Sequence, residues 1–257
     1  MVIINMPFLP YILLGLAALI LNCIPPLSSF LDLILVGTLH ELGHFFASIL
    51  SGRPAVPVYF LATVNFEFSW LFVVCLFGLW IGGATYSYYN KRTAWVVLFA
   101  VFTICQCICS FFLSDPHFQQ LVLLCGFAGE ALLATLLLQD LPLPQKIVRY
   151  RYALLFTGSY GVICSLKRWI NAYLDSAAIP NGSLMLGADH GDLNRLRDNF
   201  DWSDQSLITL YLILVLVCLV GVIARIGSAT LQRRLLPIDH TQRNNLFVEE
   251  NRIDSRD

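Results

Sequence analysis

The chain has 257 residues, 57% of them hydrophobic and 13% charged, with a mean hydropathy of +0.70. A soluble domain carries roughly 25% charged residues, so this is a membrane composition. The net charge of −1 supplies no basic footprint, and no nucleic-acid partner is expected.

A helix needs about 20 predominantly apolar residues to cross a bilayer. Seven windows qualify: 7–24, 29–50, 69–89, 94–114, 118–139, 150–167 and 206–226. The expected fold class is therefore an all-α integral membrane protein, a polytopic bundle of six to seven transmembrane helices. Residues 1–226 form one domain, a short extended or re-entrant segment follows the second window, and 227–257 is expected to be a flexible polar tail. The first window lacks a basic leader, and Asn22-Cys23-Ile24-Pro25 is a poor cleavage site, so 7–24 reads as a retained span.

The second window carries the most informative run, Thr38-Leu39-His40-Glu41-Leu42-Gly43-His44-Phe45-Phe46. Histidines at i and i+4 share a helix face, close enough for both imidazoles to hold one Zn²⁺. The intervening Glu41 can act as general base on a water held there. With five histidines in the chain, chance H-E-x-x-H matches arise in about one such sequence in five hundred. Ionisable groups are costly inside hydrocarbon, which further favours a functional reason for all three.

Residues 51–68 contain Pro54, Pro57 and a β-branched and aromatic run, which predicts extended chain. Asn65 and Glu67 there read first as loop polarity, and second as groups that orient a ligand histidine or fix a substrate backbone. Gly82-Gly83 in the third window, and Gly126, Gly129, Ala131 and Ala134 in the fifth, predict close helix packing. Glu130 has two readings of equal weight: it lines a water path to the metal, or it is a buried acid that is paired or faces a polar cavity. Lys167-Arg168-Trp169 reads as an interfacial anchor. The eight cysteines show no C-x-x-C spacing and behave as small hydrophobes, with no disulfide framework and no second metal site.

The stretch 168–205 is polar and must supply a third ligand, because a catalytic zinc takes three protein ligands plus water. Gly187-Ala188-Asp189-His190-Gly191-Asp192-Leu193-Asn194-Arg195-Leu196 holds the candidates. Asp192 ranks first, as the N-cap of a short helix whose carboxylate keeps the site near neutral. His190 ranks second, Asp189 third, and Asp175 is a further carboxylate near a span end. The competing reading is that Asp189 and Asp192 only cap and solvate an exterior loop. His40 and His44 lie roughly 9–15 Å from the helix end at Leu50, at about 1.5 Å per residue, within reach of such a stretch.

Lys91-Arg92, the group Lys146, Arg149 and Arg151, and the group Arg225, Arg233 and Arg234 fall on one side if every window crosses once. That side is expected to be cytoplasmic and to hold the C-terminus. Residues 51–68, 115–117 and 168–205 then share the opposite side with the N-terminus, where Arg53 is a lone basic residue.

The run His40-Glu41-Leu42-Gly43-His44, followed by Gly52 and then by Val56 and Phe60 in extended chain, resembles the site-2 protease family of intramembrane zinc metallopeptidases (peptidase M50). The resemblance covers about 25 residues. It implies one Zn²⁺ per chain on His40 and His44, Glu41 as the activator of water, and an aspartate from a later helix, here Asp192, as completing ligand. It also implies cleavage of peptide bonds in or near transmembrane segments, with a membrane-protein or peptide substrate in a lipid bilayer; a bacterial-type plasma membrane is expected from the compact length and the lack of a targeting motif. The family's later Asn-Pro-Asp-Gly or Leu-Asp-Gly motif survives only as Leu174-Asp175-Ser176 and Pro180-Asn181-Gly182, which marks a divergent branch. The alternatives are a metal-dependent hydrolase of a lipid-like substrate, a non-catalytic metal-binding or transport protein, and an inactive relative that binds client helices.

Overall fold

The computed structural model describes residues 9–58, 62–139, 150–180 and 191–235. The tail beyond 235, and with it most of the segment expected to be flexible, lies outside them. Helix α1 (Leu9–Asn22) is followed by a continuous rod, Pro25–Leu50. The rod consists of α2 (Pro25–Leu31), a π-helical turn (Asp32–Val36) and α3 (Gly37–Leu50). Prolines 25 and 26 open it, where their missing N–H groups have no helical partner to lose. Tyr160 donates its hydroxyl to Asp32 at 2.7 Å and to the Ser28 carbonyl at 3.1 Å, which ties the wide turn to the rest of the bundle.

Past α3 the chain turns at Gly52, whose φ of 75° lies in the left-handed region. A Cβ there would also meet Val73 Cγ2 at 2.5 Å, so glycine is required twice over. The expected extended segment is an antiparallel hairpin of β1 (Ala55–Val58) and β2 (Ala62–Asn65), with Val56 opposite Val64 and Pro57 opposite Thr63. Next come α4 (Trp70–Tyr89), α5 (Thr93–Phe112), α6 (Asp115–Leu138), α7 (Arg151–Leu174), α8 (Asp192–Phe200) and α9 (Asp204–Leu235). Helix α9 therefore continues through 227–235, which the sequence assigns to the tail.

Among the described residues five helical stretches are long and apolar enough to cross a membrane: Pro25–Leu50, α4, α5, α6 and Asp204–Arg225 of α9. Two of the seven sequence windows fall short of that standard. Helix α1 has only 14 residues. Helix α7 has 24, but it spends its polar groups on the interior, with Tyr160, Ser165 and Trp169 fully buried. The outward faces carry Leu71, Val74, Leu79, Val97, Ile104 and Val217, all exposed. Apolar faces of that extent suit a lipid solvent and would be a liability in water.

The core is built around the crossing of α3 and α6. A Cβ on Gly43 would lie 2.0 Å from the Cys125 carbonyl oxygen, and one on Gly129 would lie 2.4 Å from Gly43 Cα, so the two backbones touch. The close-packing expectation therefore holds for Gly129. It also holds for Gly83, which abuts the Phe99 ring, but not for Gly82, which has nothing within 4 Å. A second cluster joins α6, α7, α8 and α9, with Trp169 stacked on Tyr211 at 4.5 Å and Leu193 and Leu196 buried beneath α8. Burying each leucine contributes about 2 kcal/mol, and together they anchor a helix of nine residues whose opposite face is polar. All eight cysteines are free thiols.

Candidate metal centre

Three elements converge on one point. Helix α3 places His40 and His44 one turn apart, with their Nε2 atoms 3.1 Å from each other. Asp192, at the start of α8, puts Oδ2 2.9 Å from both Nε2 atoms. These are the only three His, Cys, Asp or Glu side chains among the described residues grouped so that they could hold a metal ion. Asp192 is not the N-cap that the sequence suggests. Gly191 takes that position in extended conformation with no side-chain cap, which leaves the Asp192 carboxylate free to face the imidazoles.

The outer nitrogens decide what the inner ones can do. His44 Nδ1 lies 2.7 Å from the Val122 carbonyl oxygen, which can only accept, so Nδ1 carries the proton. His40 Nδ1 lies 2.9 Å from Glu130 Oε1, and the same reasoning applies to a carboxylate. Both neutral rings then aim an Nε2 lone pair at the Asp192 carboxylate. One proton on His40 Nε2 can serve Asp192 or His44 but not both, whereas a cation serves all three. Four ligands at zinc distances of about 2.0–2.1 Å sit about 3.3 Å apart in a tetrahedron, close to the spacing seen here. The donor set, two imidazoles and one carboxylate, fits that ion.

The surroundings are built for this convergence. A Cβ on Gly126 would stand 2.6 Å from Cε1 of both imidazoles, so this glycine makes room for the rings rather than for a helix backbone. Phe127 meets the His40 ring edge-on at 4.7 Å. Glu41 is half-buried, and the Thr63 hydroxyl on β2 lies 2.9 Å from its Oε2. Ser48 of α3 donates to Asn65 Oδ1 at 2.8 Å, so Asn65 ties the hairpin to the histidine helix. Glu67 is exposed.

Comparison with protein-family models, curated proteins and solved structures gives no match to this chain.

The other sequence candidates sort themselves by position. Asp175 is exposed and caps the turn Ser176–Ala178, accepting from the Ala177 N–H at 3.0 Å, so it is not part of the centre. Asp189 and His190 lie outside the described residues. Glu130 is the paired buried acid of its two readings, with 3% side-chain exposure. Lys167-Arg168-Trp169 is not an interfacial anchor. Trp169 is fully buried, Lys167 donates to Asn22 Oδ1 at 2.8 Å, and Arg168 forms an ion pair with Glu130. The lone Arg53 pairs with Asp115 and covers the Phe118 ring at 4.3 Å. Sequence reasoning did not assign Arg168, Thr63 or the Val122 carbonyl to the site. Only the Tyr160, Cys164, Arg168 spacing on α7, one turn per step, carried a signal for the first of them.

Proposed function

We propose that the chain is a zinc-dependent intramembrane endopeptidase of the site-2 protease type, acting on peptide bonds in or near transmembrane segments. The observation that carries this reading is the meeting of His40 and His44 of α3, the helix that also presents Glu41, with Asp192 of α8 within 3.1 Å. His40, His44 and Asp192 would hold the ion. A divalent ion so held supplies Lewis acidity, polarising a scissile carbonyl and acidifying a water.

The residues of the chain do the rest. Glu41, its carboxylate steadied by Thr63, takes a proton from the water and delivers it to the leaving amine. A helix offers no accessible amide bond until it is unwound, and an unwound backbone in lipid needs hydrogen-bond partners. Among the described residues β1 and β2 pair only with each other, beside α3, which leaves outer edges to which an extended substrate can add as a further strand. The centre lies toward the end of the bundle where α3 ends and α6 begins. With α1 and α7 crossing in addition to the five long apolar stretches, this end faces away from Lys91 and Arg92, and the C-terminus is cytoplasmic.

The test is zinc content and cleavage of a transmembrane peptide by the purified full chain. Wild type should carry one zinc per chain, and His40→Ala should lose it. Glu41→Gln should keep the zinc and lose hydrolysis by about 10²–10⁴-fold. Full activity in Glu41→Gln rejects the mechanism, and release of lipid products in place of peptide fragments reassigns the substrate.

A further inference from the structure

The two ligand imidazoles are backed unequally. His44 leans on a backbone carbonyl, a fixed dipole, while His40 leans on the Glu130 carboxylate. A carboxylate in a helical bundle is costly unless paired, and its pairing fixes where it points. Here Arg168 of α7 meets Glu130 Oε2 through Nη1, and Ser165 donates to the same oxygen at 3.4 Å. Arg168 also lies over Phe127, with Cζ 5.4 Å from the ring centroid, and Phe127 is the ring that meets His40 edge-on. Arg168 therefore touches two residues of α6 that confine His40, one at Nδ1 and one at the ring.

We propose that Arg168 is a positioning residue for the metal centre: through Glu130 and Phe127 it fixes the orientation of the His40 imidazole and with it the affinity for the ion. This rests on the metal reading given above. Without the guanidinium, Glu130 keeps His40 and the long 3.4 Å bond from Ser165 as its partners and loses the charge that holds its Oε2 in place. The His40 ring can then turn about its Cβ–Cγ bond, and its Nε2 leaves the point shared with His44 and Asp192. Groups of this kind, one step behind a ligand, typically change metal affinity by about 10–100-fold.

A merely structural ion pair makes a different prediction, since its loss destabilises the fold but leaves affinity intact in molecules that remain folded. The experiment measures Zn²⁺ affinity by chelator competition on the purified full chain, with the visible spectrum of the Co²⁺-loaded protein and thermal unfolding of the metal-free protein in parallel. The variants are Arg168→Met, Arg168→Lys and the double variant Glu130→Gln/Arg168→Met, which removes both charges and strands neither. Arg168→Met and the double variant should bind Zn²⁺ about 10–100-fold more weakly, with altered Co²⁺ bands, and Arg168→Lys should recover part of the loss. The double variant should melt close to wild type, so the result stands even where Arg168→Met fails to fold. Zn²⁺ affinity within about twofold of wild type in the folded double variant overturns the proposal alone. Absence of Zn²⁺ uptake by wild type overturns it together with the metal reading.

Discussion

Helices α3 and α6 meet backbone to backbone, whereas α4 and α5 meet through rings. In the first pair Gly43 and Gly129 leave no room for a methyl group. In the second, Trp80 and Phe99 pack at 6.2 Å, Trp80 and Phe102 at 5.2 Å, and Phe77 and Phe111 at 6.2 Å. Both pairs are apolar helices packed side by side, yet the first carries the ionisable cluster, whereas the second is crossed by the neutral Gln106, which donates to the Val73 carbonyl at 3.0 Å. The difference shows what close approach is for. The close approach brings Glu130 and the Val122 carbonyl of α6 to the outer nitrogens of His40 and His44, while the carboxylate that meets their inner nitrogens comes from α8. Aromatic pairs fill a wider gap and hold two helices side by side without building a site.

Three substitutions sharpen that contrast. The largest effect is expected at Gly43→Ala, where the new methyl has a carbonyl oxygen at 2.0 Å and cannot be accommodated without separating α3 from α6. A loss of about 3 kcal/mol, read by thermal unfolding in detergent, is expected. Gly126→Ala comes next, because its methyl strikes the two imidazoles and not a backbone. It should keep the fold and weaken Zn²⁺ binding tenfold or more, about 1.4 kcal/mol, by chelator competition. The smallest effect belongs to Gly82→Ala in α4, which has open space around it. It should raise stability by about 0.5–1 kcal/mol through helix propensity and leave Zn²⁺ affinity unchanged. A loss at Gly82 equal to that at Gly43 would break the comparison.

Much of this was legible in the residues, and for physical reasons. Long apolar windows announce helices because a bilayer sets their length, and Pro54 and Pro57 announce the hairpin because they cannot continue α3. His40, Glu41 and His44 stand out because ionisable groups are rare in such windows. Asp192 ranks first in the sequence as a helix N-cap, a position Gly191 takes instead, and as a carboxylate that balances the charge of the site. Arg168 was not legible. A Lys-Arg-Trp triplet at the end of an apolar window has the composition of an interfacial anchor, and only the helix phase reveals that Arg168 turns inward toward a partner 38 positions away. Thr63 was hidden for a related reason, since a threonine in a β-branched run is an ordinary strand former until the strand is placed beside Glu41. Gly82 and Gly83 were indistinguishable in sequence because adjacent helical positions point about 100° apart and only one could face Phe99.

The π turn at Asp32–Val36 has a consequence of its own. Up to its first residue, Ser28 and Asp32 answer to Tyr160 on α7; beyond it, His40 answers to Glu130 on α6. Each α-helical residue advances about 100° around its axis, and the π turn changes that phase between the two sets of contacts. The widened turn acts as a phase shifter, letting a single hydrophobic rod obey two mechanical constraints whose angular demands differ.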